Sequence, residues 1–268
     1  MTIGRVVPLN RSAARVLRVL AALNAHHPTG VVAVARRLCL SPATTYRLLE
    51  TLVATGYATK DPISAHYSPA HQVLALSCGF EDEQWIKDAA RPVLQALGKE
   101  FHWPLALATP AGPSMLLRVT TDRDSPLAVR RFAPGRHIGL TSSASGRVYL
   151  AFCEPARRDI LLDMLMETPA VGDPRSVERS RLHKVLATIR RDGYAVQTYE
   201  QRIAPEIAVA LPVTIRGDSI ASISIRYAQT AVRASAALQR FVPKLKDGAR
   251  QISDNYVRME SEGRRGLR

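Results

Sequence analysis

A chain of 268 residues, 46% apolar and 22% charged, is long enough for two packed cores, and its composition excludes a disordered or fibrous protein. Its formal net charge of +14 makes polyanions natural partners. The three cysteines, Cys39, Cys78 and Cys153, are too far apart for a metal-ligand motif and suit free thiols in a reducing cytoplasm. MTIGRVVPLNR has no signal-like apolar core and no apolar run reaches a membrane span, so a cytoplasmic location is expected.

The first segment, SAARVLRVLAALN, predicts a helix over 12–24. Ser12 is its N-cap, Ala13, Val16, Leu17, Leu20 and Leu23 form the apolar stripe, and Arg11, Arg15 and Arg18 fall on or beside the other face. A second helix over 31–38 turns Val32, Ala35 and Leu38 inward and Arg36 and Arg37 outward. After a short turn, Ser41 caps a third helix that has Pro42 in its first turn and ends at Gly56. Thr45, Leu48, Leu49, Leu52 and Val53 form its apolar side, leaving Ala43, Thr44, Arg47 and Thr51 opposite, with Tyr46 on the flank. YATKDPISAHYS, residues 57–68, predicts a small hairpin around an Asp-Pro turn.

Three helices and a hairpin, with helices two and three joined by a tight turn, make a winged helix-turn-helix. In that arrangement the start of the third helix meets base edges. Arg47 can pair with guanine, Thr44 can contact a thymine methyl, and Ser41 with the first backbone amides can hold a phosphate. Arg11, Arg37, Ala43, Tyr46 and Lys60 complete the candidate DNA-contacting set. An ordinary solvated helix face would look similar in isolation. The surrounding elements and the local excess of eight Lys/Arg over two Asp/Glu in residues 1–69 favour DNA.

Residues 70–101 predict linker helices broken near Gly79 and at Pro92. From residue 102 to 257 strands and helices mix. Hairpins are expected over 104–121 and 207–227, a strand over 126–135, helices over 144–167, 178–191 and 231–257, and a disordered tail over 258–268. The fold class is therefore α+β.

RSAARVLRVLAALN, VARRLCLSPATTYRLLETLVATGYATKDP, GLTSSASGRVYLAFC and IRRDGYAV together resemble the IclR family of bacterial transcriptional regulators. The resemblance runs from about residue 10 to residue 257. GFEDEQWI, Trp103-Pro104 and the GRRGLR tail are most similar to the subgroup of activators of hydroxyphenylpropionate and related aromatic-acid catabolism. It implies an N-terminal winged helix-turn-helix, a linker helix and a C-terminal GAF-like effector-binding domain. It also implies a homodimer or a dimer of dimers on double-stranded operator DNA, with RNA polymerase among the candidate partners. Carried onto this chain, the effector pocket would involve Arg130, Ala144, Ser145, Gln197, Ile207, Ser224 and Arg226. The chain has Gln197 where relatives that bind very small acids have an acidic residue, and Arg226 where they have small or neutral ones. This exchange favours an anion, here a small aromatic carboxylate. Solvated strand positions would also explain Ser224 and Arg226.

No cofactor is implied, and the seven histidines lack metal spacing. Ser145 has no base partner in the pattern, so a non-enzymatic protein is expected. Three alternatives remain open: a repressor responding to a small aliphatic acid, an enzyme domain carrying a DNA-binding head, and an architectural DNA-binding protein.

Overall fold

The computed structural model of the chain describes residues 10–80, 83–167, 178–200 and 205–265, with side chains through residue 262. Two compact units divide it, Met1–Glu81 and Asp82–Arg268.

In the first unit three helices, α1 (Arg11–Ala25), α2 (Val31–Leu38) and α3 (Pro42–Ala54), precede a hairpin of β1 (Ala58–Lys60) and β2 (Tyr67–Pro69). Asn10, rather than Ser12, caps α1: its side-chain oxygen accepts from the Ser12 and Ala13 amides, each at 3.1 Å. The buried stripe of α1 is correspondingly rotated. Val19 and Leu23 are fully buried, whereas Leu17, expected inside, is 65% exposed. The stretch VLRVLAAL offers two overlapping apolar stripes, and packing against α3 selects the one through Val19. In α2, Val34 and Ala35 are buried while Val32 is exposed. The cap of α3 matches the sequence expectation: Ser41 accepts from the Thr44 amide at 3.2 Å, with Pro42 in the first turn. Gly56, at φ +80°, leads out of α3 in the left-handed region, where a side chain is strained. The hairpin turn is held by Asp61, which accepts from the Ile63 and Ser64 amides at 2.9 and 2.7 Å.

Residues 70–101, expected as broken linker helices, hold several short elements. These are a single-turn α4 (Gln72–Ala75) and then a π-helical turn, Ile86–Ala90, running straight into α5 (Arg91–Phe101). Pro92 explains the widened turn: it has no N–H for the carbonyl one turn earlier, and its ring would crowd that carbonyl. Ile86, Val93, Leu94, Leu97 and Phe101 are buried in the core of the second unit. The helix thus belongs to that unit.

The second unit is built on a six-stranded sheet, every neighbouring pair antiparallel, in the order β5-β4-β3-β8-β7-β6. Its strands are β3 (Leu105–Ala111), β4 (Ser114–Thr120), β5 (His137–Gly139), β6 (Ala195–Tyr199), β7 (Glu206–Ile215) and β8 (Asp218–Ala228). The segment 126–135 is irregular rather than a strand, and β6 was not anticipated. The strand expectation rested on the apolar PLAVRRF, which takes no place in a ladder; the edge strand beside β4 is β5.

The two sheet faces differ in texture. On one, Leu105, Leu107, Val209, Ile223 and Ile225 pack with α5 and α9 (Ala234–Arg265). On the other, Ala106, Ala108, Ala208 and Ala210 lie under α6 (Ala144–Phe152), α7 (Pro155–Glu167) and α8 (Arg179–Asp192). Small residues let α6 approach closely. A Cβ on Gly146 would collide with the backbone oxygens of Gly139 and Leu140. The last helix continues to Arg265, so the tail expected to be disordered from 258 is helical that far; residues 266–268 lie outside the described residues.

Candidate functional site

On the first unit, the turn between α2 and α3 is three residues, with Cys39 at φ 55°. Ser41, Ala43 and Arg47 are exposed at the start of α3, and Tyr46 is 47% exposed. Thr44 is half-buried and its hydroxyl accepts from Ser41 Oγ at 2.8 Å. Thr45 is fully buried, as its place on the apolar side requires. Arg11 and Arg37 are exposed at the start of α1 and the end of α2.

Lys60, named with the candidate DNA-contacting residues, is bonded within the unit. Its Nζ lies 2.8 Å from Glu50 Oε1, which also accepts from the Tyr67 hydroxyl at 2.6 Å. The same ammonium stands over the rings of Tyr46 and Tyr67, at 5.2 and 5.4 Å from their centroids. Bonding to Glu50 raises the Lys60 pKa and, reciprocally, Lys60 then Tyr67 lower that of Glu50. The node joins α3 to both strands of the hairpin. Sequence reading missed Glu50 and Tyr67 because neither has a partner nearby in sequence.

On the second unit, register shows which pocket candidates meet. Gln197 pairs with Ala208 and Ala208 with Arg226, while Ser224 lies between Ala106 and Ala210. All share the α6 face. Ile207 does not: it is buried among Val209, Tyr227 and the other residues that face α9. Strand alternation puts it on the opposite side from its neighbour Ala208, which separates it from the other candidates. Ala144 and Ser145 open α6 and are buried, but the cap is Ser143, whose Oγ accepts from the Gly146 amide at 2.9 Å. The Tyr199 hydroxyl, also on this face, meets the backbone N–H of Ala144, and burial raises its pKa. Arg147 donates to Gln197 Oε1 at 2.5 Å and to the Thr141 carbonyl at 2.7 Å.

Arg226 is 7% exposed and already paired at both ends. Nη1 donates to Glu206 Oε1 at 2.9 Å and Nη2 to Asp122 Oδ1. Both carboxylates are buried, at 1% and 0% exposure. The expectation of a free carboxylate clamp at Arg226 therefore meets two acids that occupy it. Asp122 also accepts from the Phe132 amide at 2.9 Å, fixing the irregular 121–136 segment.

Around the Phe132 ring stand three guanidiniums, those of Arg226, Arg136 and Arg130, at 4.1, 4.4 and 4.8 Å from the centroid. Arg130 Nη2 lies 3.6 Å from Glu206 Oε2, a long ion pair. Arg136 is pushed below its ordinary pKa by burial, then by the charges of Arg130 and Arg226. Three guanidiniums and two carboxylates thus gather beside one aromatic ring. The cluster carries one positive charge more than its carboxylates balance, and Arg130 and Arg136 are only half-buried. Asp122, Phe132, Arg136 and Glu206 were not singled out from sequence; only their gathering around Arg226 marks them.

Among the described residues no three His, Cys, Asp or Glu side chains are placed to hold a metal ion, and no helix is long and apolar enough to cross a membrane.

Residues 81–254 match the family described as "Bacterial transcriptional regulator IclR C-terminal", and residues 12–62 match "IclR helix-turn-helix domain". The probable transcriptional regulator SauR of Cupriavidus necator is 26% identical over 249 residues, covering 92% of this chain and 97% of that protein. The fold is shared with an IclR family transcriptional regulator from Brucella abortus, at TM-score 0.66, 22% identity and 92% of each chain. It is shared too with a homologue from Microbacterium hydrocarbonoxydans complexed with 4-hydroxybenzoate, at TM-score 0.58, 22% identity, 91% of this chain and 98% of that one.

Proposed function

Because the chain belongs to the IclR family, whose members are ligand-responsive DNA-binding regulators of transcription and not enzymes, we propose that it activates an aromatic-acid catabolic operon on binding a small aromatic carboxylate. The observation that carries the acid is the cluster of Arg130, Arg136 and Arg226 around Phe132, with one positive charge more than Asp122 and Glu206 balance. An aromatic ring beside an anion receptor suits a ligand that is itself a ring with a carboxylate. The structural neighbour that holds 4-hydroxybenzoate supports the same class.

On DNA, the chain acts as a homodimer or a dimer of dimers. Two copies of α3 enter major grooves about one helical turn, or a multiple of it, apart. Ser41 and the first amides of α3 bind phosphate, and Arg47, Tyr46, Thr44 and Ala43 face base edges. Arg11 and Arg37 add backbone contacts. Activation is the sign favoured by the likeness to the aromatic-acid subgroup.

The test begins with duplexes selected from a random pool on the immobilised protein. Affinity for the selected operator is then measured with and without aromatic acids, and transcription from it is assayed in vitro. A change of about 5- to 150-fold in affinity with an aromatic acid is expected, with transcription rising. An affinity indifferent to every acid would leave an architectural DNA-binding protein. A fall in transcription would make the chain a repressor.

A further inference from the structure

The arginine cluster contains more than an excess charge, and its atoms do not have equal roles. Arg226 has a carboxylate at each end of its guanidinium. Arg130 and Glu206 are less complete. Arg130 Nε is shielded from solvent and has no hydrogen-bond partner, and the same is true of Glu206 Oε2. The nearest Arg130 nitrogen to Glu206 Oε2 in an ion pair is Nη2, at 3.6 Å, too far for a hydrogen bond to satisfy that acceptor. Arg136 has no carboxylate partner among the described residues, although it stands beside two other cations. Buried donors and acceptors are ordinarily paired, and an unpaired donor beside an unpaired acceptor suits a group that offers both complements.

Resting on the reading of the second unit as an acid-binding domain, we propose that Arg136 and Arg130 anchor the effector's carboxylate and that Glu206 Oε2 accepts a hydrogen bond from a hydroxyl or amino group on the same effector, with Arg226 as the fixed counter-ion of Asp122 and Glu206. A singly charged acid balances the cluster: three guanidiniums meet two side-chain carboxylates and one from the ligand. A plain carboxylate satisfies the orphan donor but leaves the orphan acceptor unpaired. A ligand that also donates satisfies both. The ligand class is therefore a monoanionic acid carrying a hydrogen-bond donor, rather than a diacid or an unsubstituted acid. Phe132 supplies the apolar wall between these polar groups.

The experiment is calorimetric titration of the full chain and of its Arg136→Gln and Arg130→Gln variants. The acids are benzoate, its hydroxy and methoxy derivatives, propionate and lactate. Arg136→Lys keeps the charge without the two-pronged geometry and serves as a second variant at that position. The expected result is tighter binding of a hydroxybenzoate than of the matching methoxybenzoate, which cannot donate. Arg136→Gln and Arg130→Gln should each weaken that binding by about tenfold or more, the loss of a charge-assisted hydrogen bond, with Arg136→Lys intermediate. Equal binding of hydroxy and methoxy acids would overturn the role of Glu206. Unchanged affinity in both Gln variants would overturn the anchor while leaving the acid-binding reading intact. Lactate binding that is lost in Arg136→Gln, with no benzoate bound, would keep the anchor and remove the aromatic class. If the parent chain binds none of these acids, the effector reading and this inference fall together.

Discussion

Arg226 holds two buried carboxylates, those of Asp122 and Glu206, in ion pairs. Its position in SISIRY, next to a polar strand face, was readable, and so was its suitability for a carboxylate. Its partners were not, because Asp122 and Glu206 lie 104 and 20 residues away. Nothing local in TTDRD or APEIAV distinguishes an acid that is fully buried. The pairing changes what a substitution should do. Arg226→Ala strands two buried carboxylates, and removing one member of a buried ion pair typically costs about 3–5 kcal/mol. Chemical denaturation should show a loss of that order. A loss below about 1 kcal/mol would mean that the acids find water or another partner, and that Arg226 is available to ligand after all. Ile207 teaches a smaller lesson: one step along a strand moves a residue to the other face, and only the register settles which.

At the scale of elements, the third helix was legible almost completely, since its cap, its first-turn proline and its exit glycine are all local signals. The β7–β8 hairpin was legible for the same reason, through its Arg-Gly-Asp turn. Elements fixed by distant packing were not. The stripe of α1 depends on which of two apolar registers meets α3, and β6 is a strand because β7 pairs with it. The Lys60–Glu50–Tyr67 node, equally non-local, ties the hairpin to α3. With its ammonium on Glu50, Lys60 fixes the hairpin against α3 and Tyr46. Lys60→Met should therefore weaken operator binding while leaving the salt slope nearly unchanged, and Glu50→Gln should weaken it in the same direction. Arg47→Ala should instead cost about 1–3 kcal/mol on the operator and relax preference at one base position. Binding measured over a salt series on operator and random duplexes separates these outcomes. A slope smaller by about one in Lys60→Met would return Lys60 to the phosphate contacts.

For the molecule as a whole, the two activities should answer differently to salt. DNA binding through about six to ten phosphates falls by about 10³- to 10⁵-fold between 50 and 200 mM salt. The proposed acid binding, in a cluster whose carboxylates are buried, should be screened far less. Parallel titrations at the two salt concentrations check this, and an acid affinity that collapsed along with that for DNA would place the acid on the open surface.

The contrast between the two sheet faces has a consequence for how such a protein can change. The leucine and isoleucine side faces α5 and α9, and its mass of buried hydrocarbon supports the unit whatever the other side does. Across the sheet, the face toward α6 carries small residues, Ala106, Ala208, Ser222 and Ser224 among them, beside Met115 and Leu117, and exchanging one small residue there for another disturbs little packing. Variation concentrated there, at positions such as Ala106, Ala208, Ser222 and Ser224, can reshape what the domain senses while the scaffold survives. A library restricted to that face is therefore a short route to regulators that answer to new metabolites.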